Sequence, residues 1–219
     1  MILKSKWLAV ATALCSITLL SACERPFEIP AVSGNTYAHT SELSAIYPNQ
    51  TFVNISYEYE LQGNKKIEIP GRLHGPAWMY AARALEDPQR FMFLHVVTSE
   101  PGDGIPTGQI ERFGKRDFTA IPACVDASEP LDETLQPFVD MVKEQGYALS
   151  RDLYVYRFYP RTLETDGKRI DLVYLHDIER DGHRCADFGP DLANPSGEEA
   201  EDLAMEYQSR AFSSFEIIN

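Results

Sequence analysis

Basic residues are scarce in this chain. It carries 20 Lys and Arg against 33 Asp and Glu, a formal net charge of -13. Phosphate backbones are gripped by Lys and Arg, so no nucleic-acid partner is expected. Long apolar runs are also missing except for one at the N-terminus, which excludes a protein with several membrane-spanning helices. There are no internal repeats, low-complexity tracts or interior linkers to divide the chain. Several signatures of chemistry are absent as well: no G-x-S-x-G elbow, no H-E-x-x-H, no Walker loop, no G-x-G-x-x-G and no C-x-x-C. Gly102-Asp103-Gly104 lacks the Lys and following helix of a phosphate loop and reads as a turn. The acidic residues from Asp187 to Asp202 do not have calcium-loop spacing. At 44% hydrophobic and 24% charged residues, the chain is nonetheless too apolar for disorder and reads as globular.

The N-terminus has its own pattern. Lys4 and Lys6 precede an apolar stretch from Trp7 to Leu20. As a helix this stretch is only about 21 Å long, short of a ~30 Å bilayer core, so it reads as a secretory h-region. Leu20-Ser21-Ala22-Cys23 follows directly.

These four residues resemble the lipobox of bacterial lipoproteins. The resemblance covers residues 1–23 and implies nothing about the rest. It implies a signal peptide over 1–22, cleavage before Cys23, and a diacylglyceryl group on the Cys23 thiol with further acylation of the new N-terminus, palmitate included. The bilayer is thus the first expected partner. In enterobacterial members an Asp after the lipidated Cys favours inner-membrane retention. Glu24 is not that residue, which points to the outer membrane, facing the periplasm. Residues 23–35 form a short tether with two prolines and no long Ser/Gly/Thr linker, which hints at a Gram-negative source. Loss of Lys4 and Lys6 leaves 18 basic against 33 acidic residues, a charge of -15. So acidic a surface does not adhere to anionic lipid by itself, and the acyl chains must hold it there.

Only four cysteines are present. Cys15 belongs to the leader and Cys23 to the lipobox, which leaves Cys124 and Cys185. In an oxidising compartment these two most simply form a disulfide. The competing readings are a nucleophile, for which Pro122-Ala123-Cys124-Val125-Asp126 offers no known local signature, and free buried thiols.

Residues 36–219 read as one α+β domain with a mainly antiparallel sheet and two clear helices. Residues 51–61 alternate as a single strand with Val53, Ile55, Tyr57, Tyr59 and Leu61 on one face. Gly63-Asn64 should turn the chain, with 66–69 running back. Pro70, Gly71, Gly75 and Pro76 should interrupt regular structure. Residues 77–86 fit strand or helix, with strand favoured by Trp78, Tyr80 and the Asp87-Pro88 turn. Residues 91–98 read as a buried central strand, 101–108 as an exposed loop, and 118–125 as a strand weakened by Pro122. A helix is expected over 134–145, closed by Gly146. Strands follow over 153–159 and 170–178 around the Asp166-Gly167 loop. The second helix is expected over 197–211, opened by a capping box at Ser196–Glu199 and buried along Ala200, Leu203, Ala204, Tyr207 and Ala211. Residues 212–218 read as a short terminal strand.

One polar cluster stands out: His176, Asp177, Glu179, Asp181, His183 and Cys185. On an extended chain Asp181, His183 and Cys185 would project to one side, in ligand types that zinc or copper accept. Arg180, Arg184 and the Asp181-Gly182 turn signal argue for a solvated loop instead. His95 inside an apolar strand reads as a hydrogen-bonded core residue, and His74 beside Trp78 and Tyr80 offers no better catalyst. No cofactor is implied and no catalytic residue is assigned. The leading functional reading is a non-catalytic binding module that meets another envelope protein or a glycan. The alternatives are a carrier of a small ligand or metal, and an envelope hydrolase working through paired carboxylates.

Overall fold

Aromatic and β-branched runs dominate the chain, and strands dominate the structure. In chain order they are β1 (Thr36–Ala38), β2 (Phe52–Ile55), β3 (Tyr59–Ile69), β4 (Leu73–Ala82), β5 (Arg90–Thr98), β6 (Gln109–Phe113), β7 (Arg116–Asp126), β8 (Asp152–Pro160), β9 (Lys168–Asp177) and β10 (Phe215–Ile218). Two helices, α1 (Gln136–Glu144) and α2 (Glu198–Phe212), complete the regular elements. The computed structural model describes residues 36–38, 52–69, 73–83, 89–98, 106–161 and 168–218. The leader, Cys23 and the tether, the Pro70-Gly71, Asp87-Pro88 and Asp166-Gly167 turns, and most of the 101–108 loop lie outside the described residues.

Seven strands form one antiparallel sheet in the order β3-β4-β5-β9-β8-β7-β6, and β1-β2-β10 form a separate antiparallel one. The fold is α+β, mainly sheet, in a single domain. Period-two alternation divides the side chains of the large sheet between two cores. On one face Phe91, Phe93, Val155, Val173 and Leu175 pack against Phe138, Val139 and Val142 of α1. On the other, Leu94, Tyr156, Phe158, Leu172 and Tyr174 pack against Ala204, Tyr207 and Ala211 of α2 and against Val53, Ile55, Phe215 and Ile217 of the small sheet. With both faces covered, β5 is apolar from Phe91 to Val97 except at His95, the reason residues 91–98 read as central.

The expected elements hold with three corrections. Residues 51–61 are not one strand: the chain turns at Tyr57-Glu58, where Tyr59 N–H donates to the Ser56 carbonyl at 3.0 Å. That turn sends β2 to the small sheet and β3 to the large one, and leaves Tyr57 81% exposed instead of on the buried face. Gly63-Asn64 does not reverse the chain either. β3 runs through it with a bulge between Leu61 and Gly63, and its hairpin partner is β4. Gly75 and Pro76 lie inside β4 rather than breaking it. A Cβ at Gly75 would stand 1.8 Å from the Val96 carbonyl oxygen, so glycine here permits close backbone approach.

Residues 77–82 are strand, as favoured, and Pro122 is accommodated within β7 opposite Tyr156. The helices begin two and one residues later than expected. Pro137 sits at the start of α1, where its missing donor costs nothing, and Gly146 at φ +88° closes the helix, with the Tyr147 N–H donating to the Val142 carbonyl. The capping box at Ser196 does not form. Gly197 occupies the N-cap of α2 with no side-chain cap, and Glu198, Glu199 and Glu201 face the positive end of the helix dipole instead.

Candidate functional site

β9 is apolar except at Arg169, Asp171, His176 and its two ends, and the period of two sorts those charges onto opposite faces. Arg169 and Asp171 join Val173 and Leu175 on the α1 side. Tyr174 and His176 project to the α2 side.

On the α1 side Arg169 donates through Nε and Nη2 to both Asp171 carboxylate oxygens, at 2.6 and 2.9 Å. Both residues are almost fully buried, and the guanidinium lies 5.6 Å from the centre of the Tyr159 ring. His95 stands opposite Asp171 across β5 and β9, edge-on to Phe138. Burial pushes the His95 pKa down to about 4 against the contrary pull of its bond to the Gly75 backbone, so the ring is neutral at pH 7. Burial also pushes Asp171 up to about 6 despite its Arg169 partner. His95 Nε2 and Arg169 Nη1 have no hydrogen-bond partner among the described residues.

On the α2 side the Tyr174 hydroxyl is 3.1 Å from His176 Nδ1, and His176 Nε2 is 3.1 Å from Asp181 Oδ2. The same Asp181 oxygen accepts from the Tyr207 hydroxyl at 2.9 Å and from Arg210 Nη1 at 2.6 Å. Burial lowers His176 to about 3, outweighing Asp181, which pulls it up. Burial acts to raise Asp181, but Arg210, His176 and Tyr207 together hold it below the ordinary carboxylate range. A histidine between a carboxylate and a hydroxyl has the outline of an acid–base device. Here both ring nitrogens are engaged and the ring is 1% exposed, so no substrate proton can reach it. The chemistry available is mechanical: the cluster ties β9, the 3-10 turn Ile178–Asp181 and α2 together.

The structure does not bring Asp181, His183 and Cys185 to one side. The segment is not extended: Gly182, at φ +87°, reverses the chain after the first 3-10 turn, and a second covers Cys185–Phe188. Asp181 consequently faces His176, while His183 Nδ1 lies 3.8 Å from Asp187 Oδ2. Cys185 is bonded to Cys124, with Cα atoms 5.4 Å apart, so it is neither a thiolate ligand nor a nucleophile. Asp177 is fully buried and takes the Ser150 N–H and Arg180 Nε. Among the described residues no group of three His, Cys, Asp or Glu is placed to hold a metal.

An accessible candidate among the described residues lies elsewhere. An open cleft of about 490 Å³ sits where the small sheet meets the β2–β3 turn, lined by Asn54, Ile55, Ser56, Tyr57, Arg83, Ser213, Phe215 and Glu216. Ile55 and Phe215 form its apolar floor. Arg83 is held at one side by its Nε donating to the Tyr59 carbonyl at 3.1 Å. Sequence reasoning missed this cleft because its residues come from three distant segments. It also passed over Arg169 and Asp171, although two charges at i and i+2 in an apolar strand were a readable sign of a buried pair.

No protein-family model, curated protein or solved structure matches this chain.

The two buried histidines set a pH dependence. Unfolded, each titrates near about 6.5, above its folded value, so acidification favours the unfolded chain. Asp171 acts oppositely, since its folded pKa lies above the unfolded value of about 3.9. Between pH 7 and pH 5 the histidines together lose roughly 3–4 kcal/mol of stability and Asp171 returns roughly 1. Urea unfolding at the two pH values is expected to show a net loss on acidification, with about half of the histidine share removed in His95→Phe. A flat or rising stability towards pH 5 would contradict the burial of these rings.

Proposed function

We propose that the protein is a bacterial cell-envelope lipoprotein, anchored through acylated Cys23, whose α+β domain is a non-catalytic binding module on the periplasmic side of the outer membrane. The observation that carries this reading is Leu20-Ser21-Ala22-Cys23 placed directly after a short apolar stretch. The Cys124–Cys185 disulfide supports it, because structural disulfides belong to oxidising compartments. The enclosure of His95, Asp171 and His176 supports binding over catalysis: these three perturbed groups sit within the cores, whereas the cleft is open to solvent. Besides the bilayer, the partner is another envelope component, a protein or a glycan.

Intact mass of protein extracted from membranes is the direct test. A mature chain starting at Cys23 and carrying acyl groups is expected, and Cys23→Ser is expected to abolish both cleavage and acylation. A soluble, unmodified chain would overturn the anchor. Turnover of peptidoglycan or glycan that one carboxylate substitution removes would overturn the binding-module reading.

A further inference from the structure

The cleft lies beside β1, the first described strand. Thr36 opens β1 and pairs with Asn54, which lines the cleft. Cys23 stands 13 positions before Thr36, and 13 residues span at most about 45 Å. A domain of this size has a diameter of roughly 40 Å. An acyl anchor on Cys23 therefore leaves this end of the molecule within reach of the bilayer. The inference rests on the lipoprotein reading above and assigns a partner to its cleft.

The chemistry of the cleft is narrow. Among the described lining residues the one cation is Arg83, whose Nε is fixed on the Tyr59 carbonyl. The one anion among the described lining residues is Glu216, and Ser56, Ser213 and Asn54 complete the polar wall. Tyr57 projects at the turn beside them, 81% exposed, an amphipathic ring of the kind that settles at a membrane–water boundary. A purely anionic headgroup suits neither the Glu216 carboxylate nor the strongly acidic mature chain. A zwitterion carrying a phosphate and a primary ammonium suits both: the phosphate pairs with the Arg83 fork and the ammonium donates to Glu216.

We propose that the Arg83–Glu216 cleft binds the phosphoethanolamine headgroup of a phospholipid in the bilayer that holds the anchor, with Tyr57 seated at the interface.

The test uses the acylated full chain, with acylation confirmed by mass, reconstituted into vesicles. The Tyr57→Trp variant reports contact through quenching by lipids brominated near the headgroup, with the unsubstituted protein giving the Trp78 background. Vesicles containing phosphatidylethanolamine are expected to quench the new signal several-fold more than phosphatidylcholine alone, whose quaternary ammonium has no N–H to give Glu216. Arg83→Ala and Glu216→Lys should each abolish that difference, and Arg83→Lys should keep part of it. If the acylated Tyr57→Trp variant shows an added signal that is unquenched, or equally quenched in both lipids, the headgroup site is overturned and the anchor stands. Protein lacking acyl groups overturns the anchor. In that case glycerophosphoethanolamine is titrated into the protein: saturable binding lost in Arg83→Ala keeps the recognition chemistry but rejects the bilayer source, and no binding rejects both.

Discussion

Asp171→Ala is expected to destabilise the domain by about 3–5 kcal/mol, because it leaves the Arg169 guanidinium buried without its counter-charge. Arg169 is 2% exposed and its Nη1 already lacks a partner among the described residues, so no neighbouring acceptor there is placed to take over the freed donors. Removing both charges is a different experiment. Arg169→Met with Asp171→Leu keeps volume under α1 and eliminates two desolvation penalties, and its stability is expected within about 1 kcal/mol of the parent. Urea midpoints of the three proteins measure this. A loss below about 1 kcal/mol in Asp171→Ala would show that the pair is solvated rather than enclosed.

Cys124→Ser with Cys185→Ser is expected to cost about 4 kcal/mol, from the chain entropy released by opening a loop between residues 61 apart. The damage should be local before it is global. The bond fastens the 3-10 turn Cys185–Phe188 to β7, and the buried Phe188 fills space between Tyr154 and Tyr207, with ring centres 5.6 and 5.4 Å away. Hydrogen exchange should therefore accelerate around 185–189 and the adjacent start of α2 at reductant levels that leave the large sheet protected. Unchanged exchange there, with an unchanged urea midpoint after verified reduction, would refute the assignment of this bond as a structural clamp.

The fold class was legible because its signals are local. The unbroken apolar run 91–97 and the aromatic strands 153–159 and 170–178 mark the middle of a sheet, and the stripe at Leu135, Phe138, Val139 and Val142 marks a helix against it. The errors arose where alternation is ambiguous about chain direction. Residues 51–61 keep a period of two straight through the Tyr57-Glu58 turn, so nothing in the spacing reveals that β2 and β3 join different sheets. Gly63 looks like a turn residue but serves a bulge, and Gly75 looks like a breaker but serves a close backbone contact; both depend on a neighbouring strand the sequence does not display. The candidate site was less legible. Asp181 was singled out for the wrong neighbour, since its partners Tyr207 and Arg210 lie on a helix 26 and 29 positions further on. The cleft joins residues 54–57, 83 and 213–216, a proximity created only by tertiary pairing.

The small sheet places a constraint on how the chain can be delivered. β2 lies between β1 and β10, and its partner on one side, the run from Phe215, follows Ile55 by roughly 160 positions. A polypeptide that emerges N-terminus first must hold Val53 and Ile55 without that cover until nearly the whole domain has been released. For the whole of that interval this strand is a sticky edge, a natural handhold for a holdase chaperone and a natural place for two copies to exchange β10 if release is crowded.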